Sequence, residues 1–256
     1  MKIVGIEGLD AKSLQKTVLV FGLDDVVVAG RVHSTVDSTQ VKKVLENLGK
    51  LAKKFPFFHF FVVSGYQKEI TLQKLGLAGL TSFFPEQNIR FVSQEYLDSK
   101  ESMDREIYDS ELAKDPLFKD EYFKQKEIEK IATELGVPME KIVFVGHDLF
   151  FDAYYSQRFS KVDFVLVKES LSNQHKRVDR IIKGLNYIHL DWNDLRDVLL
   201  GKFPPADCMQ LRNFIHFYLQ RHLVSHETMG TLVEARIKQL EQRKAGTPDE
   251  TRSDAK

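Results

Sequence analysis

One cysteine, Cys208, stands in 256 residues, so the chain can form neither an internal disulfide nor a multi-cysteine metal site, and a reducing compartment is expected. There is no excess of charge of either sign. Thirty-seven Lys and Arg face 37 Asp and Glu, which disfavours bulk duplex DNA or an anionic membrane as a partner. No apolar run is long enough to cross a bilayer: the longest, Phe55 to Val63, is broken by His59 and ends at Ser64-Gly65. No apolar stretch follows basic residues at the N-terminus, so no secretory signal is expected. Fourteen glycines and seven prolines leave little room for low-complexity linkers, and no internal repeat is visible. The expectation is a soluble, cytoplasmic globular protein. At about 150 residues per domain, the length suits one domain with additions.

What is present is an alternation of β-branched apolar runs with helical periods. Thr17 to Phe21, Phe58 to Val63, Ile89 to Ser93, Ile142 to Val145, Asp163 to Val167 and Tyr187 to Leu190 read as short buried strands. Between them, Ser38 to Lys54 carries Val41, Val44, Leu45, Leu48 and Leu51 on one helical face. Further helices are expected from Gln67 to Leu75 with Gly76 as C-cap, from Glu121 to Leu135 before Gly136, near Asp152 to Gln157, and from Trp192 to Leu200. This rhythm predicts an α/β fold, a mostly parallel central sheet with helices on both faces, and chemistry at the carboxyl ends of the strands. Four regions fall outside it. Residues 1–16 read as a leader, 94–120 as a charged insertion, 205–243 as a helical C-terminal extension, and 244–256 as a disordered polar tail. The extension has an apolar face at Met209, Leu211, Phe214, Ile215, Tyr218 and Leu219, which something must bury.

The residues just past the strands follow an order. After the first strand comes Phe21-Gly-Leu-Asp-Asp-Val-Val-Val28, and after the second Val62-Val-Ser-Gly65. A helix then opens at Lys124-Gln-Lys126 and ends in Glu134-Leu-Gly-Val137. After the fourth strand comes Val145-Gly-His-Asp-Leu-Phe-Phe-Asp152. These features, over roughly residues 17–200, resemble the four motifs of the haloacid dehalogenase (HAD) superfamily of phosphohydrolases. The resemblance implies a three-layer Rossmannoid core over 17–204, with 94–120 as a small cap-type insertion acting at most as a lid. It also implies a mechanism. A first Asp attacks phosphorus, and a second, two residues on, serves as acid and base. Ser or Thr and Lys hold the phosphate, and magnesium sits between the first Asp and an Asp of the fourth motif.

This sequence departs from that pattern where the chemistry is done. Gly22 stands at the nucleophile position and Asp24 keeps the acid/base position. Ser64 with Gly65 matches the second motif. Lys124 matches the third by its distance to Gly136, with Lys126 as fallback. In the fourth motif His147 replaces the first acid and Asp152 matches the second; Asp148, one residue past His147, is a further metal candidate. Glycine can neither attack nor ligate, and imidazole is a poor ligand for magnesium, which prefers oxygen. A magnesium site is therefore weakened, and the ordinary covalent route is closed. Treating Asp24 as the nucleophile instead puts Val26 at the acid/base position.

Each residue also has a plainer role open to it. Gly22 can serve a tight turn, Asp24 and Asp25 can cap loop amides, and Ser64 can be a helix N-cap that still offers amides to an anion. Lys124 can be solvated surface and His147 a hydrogen-bonded structural histidine. The histidines His216, His222 and His226 lack a carboxylate to complete a metal set. Two functions remain. One is a pseudophosphatase with a binding or regulatory role, its partner a protein or a second copy held by 205–243, with a small phosphorylated ligand in the cleft. The other is a magnesium-dependent phosphohydrolase with an altered site acting on a small phosphate ester.

Overall fold

The computed structural model describes residues 8–30, 36, 38–148, 151–152, 156–167, 189–190 and 195–201. The strands are β1 (Val18–Gly22), β2 (His59–Gln67), β3 (Ile89–Val92), β4 (Ile142–Gly146), β5 (Asp163–Val167) and β6 (His189–Leu190). They form one sheet in the order β3-β2-β1-β4-β5-β6, and every neighbouring pair is parallel. β1 and β4 are buried at all five positions. That is why Val-Leu-Val-Phe and Ile-Val-Phe-Val show no polar alternation: a parallel strand covered on both faces has no wet side.

The sheet grows outward from β1 in both directions, so the strand order switches between β1 and β4. In open parallel sheets ligands collect at the carboxyl ends beside such a switch. Phe21 pairs with Val145 there, which sets Gly22 beside Gly146.

Helix α1 (Ser38–Lys54) has the expected bounds and buries the five predicted aliphatics. α2 (Lys68–Leu77) runs past Gly76, contrary to the expected stop. Its end is set by Gly79 at φ +64°, whose amide bonds the Gly76 carbonyl while Leu80 bonds Leu75, a Schellman closure. α5 (Phe123–Leu135) ends as expected, at Gly136 with φ +61°. After β4 a π-helical turn, Ser156–Ser160, lies within and beyond the stretch expected to be α-helix, and α6 (Leu195–Leu199) falls within the helix expected from Trp192 to Leu200.

In the stretch expected as a leader, residues 8–16 dock on the core: Leu9 and Leu14 are buried, and the amides of Gln15 and Lys16 both bond the Leu199 carbonyl. Two leucines are too few to show a period, but they suffice to dock a short segment on the core. The insertion is ordered as α3 (Gln94–Asp98) and α4 (Ser102–Lys114). Its return to the core is fixed by Asp120, whose carboxylate takes Lys100 at 2.8 Å, the Tyr96 hydroxyl at 2.9 Å and the amides of Tyr122 and Phe123. The expected extension 205–243 and tail 244–256, with Cys208 and the three C-terminal histidines, lie outside the described residues. Among the described residues no helix is long and apolar enough to cross a membrane.

Candidate functional site

Four chain segments converge at the carboxyl end of β1. The cleft they form has about 270 Å³ of empty space, part of it open to solvent. Gly22 and Asp24 line it from β1 and the following turn, Ser64 and Gly65 from β2, Lys124 from α5, and His147 with Asp152 from the segment after β4. The sequence motifs therefore meet in one place. Lys126, the fallback, is half-exposed on α5 and pairs with Glu129 instead.

Gly22 is not demanded by the backbone. Its φ is outside the left-handed region, and a Cβ built on it would lie 3.6 Å from the Val145 carbonyl oxygen and 3.6 Å from Val26 Cγ2, both ordinary contacts. Asp152 Oδ2 would be 4.0 Å away. The plain tight-turn role is thus unnecessary, and a side chain would fit.

Gly65 is different. A Cβ there would come within 2.7 Å of the Asp120 carbonyl oxygen, while the Asp120 amide donates to the Gly65 carbonyl at 2.9 Å. Glycine at 65 lets the insertion close onto the core backbone. Gly65→Ala should cost about 1–3 kcal/mol through that backbone clash, whereas Gly22→Ala should change stability much less. Urea midpoints of the two variants check this, and equal losses would contradict it.

Ser64 is not a helix N-cap. Pairing of β2 continues to Gln67, opposite Val92, and α2 begins only at Lys68. The Ser64 hydroxyl accepts from the Tyr66 amide at 3.2 Å and shares a hydrogen bond of 3.0 Å with the Thr71 hydroxyl, which also reaches the Gln67 carbonyl at 2.9 Å, so the strand end is tied to the first turns of α2.

Asp24 is 7% exposed and caged. Tyr66 donates its hydroxyl to Oδ2 at 2.8 Å, Lys119 Nζ lies 2.7 Å from the same oxygen, and Lys74 Nζ is 3.0 Å from Oδ1 as an ion pair without an aligned hydrogen bond. Both ammonium groups also sit 5.2 Å from the centre of the Tyr66 ring. Burial raises the Asp24 pKa, but Lys119 and then Lys74 outweigh it and hold the carboxyl below its ordinary value. The Tyr66 hydroxyl is pushed far above the usual phenol range, chiefly by burial and then by Asp24. Tyr66, Lys74 and Lys119 were not legible in the sequence as site residues.

On the other side of the cleft Lys124 meets Asp152 Oδ1 at 2.5 Å and also pairs with Glu121. Burial lowers the lysine pKa, but Asp152 and Glu121 reverse this and raise it above the ordinary range. Asp152 Oδ2 accepts the amides of His147 and Asp148 at 3.0 and 3.1 Å. Against the cost of burial, Lys124 and His147 hold the Asp152 carboxyl well below its ordinary range. His147 is wedged between carboxylates, with Nδ1 3.5 Å from Asp152 Oδ2 and Nε2 3.7 Å from Asp25 Oδ2. Burial pulls the imidazole pKa down, yet Asp152 and Asp148 together carry it above the ordinary value.

This arrangement does not suit magnesium. Gly22 offers no donor, the His147 donor is nitrogen, and both Asp152 oxygens are already engaged. Asp148, the further candidate, does not line the cleft; its carboxylate accepts the Phe151 amide at 2.7 Å, closing its own turn. Among the described residues no set of three His, Cys, Asp or Glu is placed to hold a metal.

No protein-family model matches the chain, and no curated protein matches it. Among solved structures it is similar to a hypothetical protein from Xanthomonas campestris, at 11% identity and a TM-score of 0.40 over 88% of this chain and 99% of that one. It is also similar to a haloacid dehalogenase-like family hydrolase from Xanthomonas campestris, at 9% identity and a TM-score of 0.38 over 74% of this chain and 98% of that one. Such overlap is too low to carry any argument about the site. The all-parallel strand order is that of a Rossmannoid α/β fold, and it brings the four motif segments to one cleft.

Proposed function

We propose that this chain is a catalytically silent HAD-like protein, a pseudophosphatase whose cleft serves binding or regulation in a reducing, cytoplasmic setting. The observation that carries this reading is Gly22: a Cβ at the nucleophile position would meet only ordinary contacts, and the sequence supplies no side chain there. Because the fold does not enforce glycine, what is missing is the chemistry of a carboxylate rather than space for it.

The neighbouring groups support the same reading. Asp24, ionised and caged by two lysines and a tyrosine, has little basicity with which to activate water and no proton to give a leaving group. This weighs against the second reading, a magnesium-dependent phosphohydrolase acting on a small phosphate ester. The role left to the cleft is to hold a small phosphorylated ligand or to stand as a fixed surface. A protein partner or a second copy would then engage the 205–243 extension.

The experiment is covalent trapping. The protein is incubated with magnesium and acetyl phosphate, quenched in acid and digested, and the peptide covering residues 18–30 is weighed. Its carboxylates are Asp24 and Asp25 alone. The expected result is an unmodified peptide. A phosphoryl group on Asp24 or Asp25 would mean that a neighbouring aspartate has taken over as nucleophile, and the proposal would fall.

A further inference from the structure

In the cleft every positive side chain already faces an internal carboxylate. Lys124 has Asp152 and Glu121, and His147 has Asp152 and Asp25. The Lys74–Lys119 pair has Asp24. The third pairing differs from the others in where its members come from. Lys119 belongs to the insertion, Lys74 to α2, Tyr66 to β2 and Asp24 to the turn after β1. Four separate elements thus aim two ammonium groups and one hydroxyl at a single carboxylate. Two cations and an O–H donor around one oxyanion is a binding seat by its donor chemistry. Lys119 lines the cleft and keeps 29% of its side chain exposed, and Lys74, beside it outside the cleft lining, keeps 22%, while the Asp24 side chain between them is 6% exposed.

We propose that Asp24 is a built-in competitor: its carboxylate fills an oxyanion seat made by Lys74, Lys119 and Tyr66, and an external phosphate-type dianion binds this seat by displacing it. The inference rests on the silent-cleft reading, because a catalytic Asp24 could not be spent in this way. It deepens that reading by naming the seat that takes the dianion and the group that holds the ligand off. The residue that the HAD resemblance makes an acid and base acts here as an internal ligand. It also ties the insertion to the β1 turn through Lys119. Free phosphate and the phosphoryl group of a monoester share the chemistry the seat recognises.

The test is a calorimetric titration in the presence of EDTA, with inorganic phosphate in one arm and phenyl phosphate in the other. Asp24→Asn keeps the shape and the acceptor for Tyr66 while removing the competing charge. A unit charge a few ångströms away at the effective dielectric of a protein surface makes a gain of at least about tenfold in phosphate affinity the expected result. Adding Lys119→Ala to Asp24→Asn should return affinity to the wild-type value or below. Tighter binding in both arms assigns the seat to the dianion itself, and tighter binding of phenyl phosphate alone assigns it to a monoester.

No gain in either arm for a folded Asp24→Asn, or a gain that Lys119→Ala leaves untouched, would overturn the proposal. Lys119→Ala in the wild-type background gives a second measurement that does not depend on Asp24→Asn folding. Weak wild-type phosphate binding, followed by phosphorus NMR line broadening, should be lost in this variant. Wild-type binding that is absent, or that survives the substitution, overturns the proposal as well. Neither titration involves turnover, so its failure is separate from any failure of the silent-cleft reading, which covalent trapping decides.

Discussion

Asp152→Ala is expected to lower the unfolding free energy by about 3–5 kcal/mol, the range for removing one partner of a buried ion pair. Asp152 is 1% exposed and does three things at once: it pairs with Lys124 and accepts two amides of the loop after β4. Without it a fully buried ammonium keeps only Glu121, and two amides lose their acceptor. The sign with pH follows from the depressed Asp152 pKa. Its contribution is present above the unfolded carboxyl value of about 3.8 and fades only as pH falls toward the folded value. The carboxylate is ionised in both states from about pH 5 to about pH 8, but Asp152 also raises the His147 pKa, a contribution present when the imidazole is protonated and lost as pH rises, so the loss measured by urea unfolding should be larger at about pH 5 than at about pH 8. Lys124→Met combined with Asp152→Leu should recover much of the stability, since an apolar pair can replace a buried ion pair at little cost. A loss under about 1 kcal/mol for Asp152→Ala would mean that the pair is screened by water and the cleft floor is not dry.

The second large effect is a gain. Gly22→Asp with His147→Asp should create a magnesium site where the wild type has none. Both substitutions place carboxylates beside Asp152, whose Oδ2 lies 4.0 Å from a Cβ at position 22. Clustered acids repel, so without metal the double variant should be less stable than wild type. Magnesium then supplies the missing charge, and its hard oxygen preference is met. At a hundredfold excess over its dissociation constant it should restore about 2.7 kcal/mol. Wild-type melting should not move with magnesium. The same shift in both proteins would show that metal binds elsewhere, and that the donor set at the cleft was misjudged.

The fold was largely legible in the sequence because its signals are local. Val18 to Phe21 is uniformly apolar between Lys16-Thr17 and Gly22, and Ser38 to Lys54 repeats its aliphatics at helical spacing, so both elements fall where expected. Lys124 was separable from Lys126 because the Leu-Gly that ends α5 fixes which lysine points inward. The errors arose where one residue of register decides the outcome. Asp148 and Asp152 are equally acidic, but the loop after β4 turns one toward its own backbone and the other into the cleft. Ser64-Gly65 has the composition of a helix start, yet it lies in an irregular stretch of β2, whose pairing with β3 breaks after Val63 and resumes at Gln67, before α2 begins. Tyr66, Lys74 and Lys119 reach Asp24 from elements distant in the chain, and no periodicity encodes such a meeting. Asp24 was visible as a candidate, but its cage was not. The cage is what changes its chemistry.

The most direct measurement is the initial rate of phosphate release from a panel of small phosphate esters with magnesium, wild type beside the Gly22→Asp, His147→Asp variant and beside Asp24→Asn. The account predicts that wild type and Asp24→Asn both release phosphate at the rate of the protein-free blank. A magnesium-dependent wild-type rate that Asp24→Asn abolishes would contradict it, and would make this chain an enzyme that uses its caged aspartate after all.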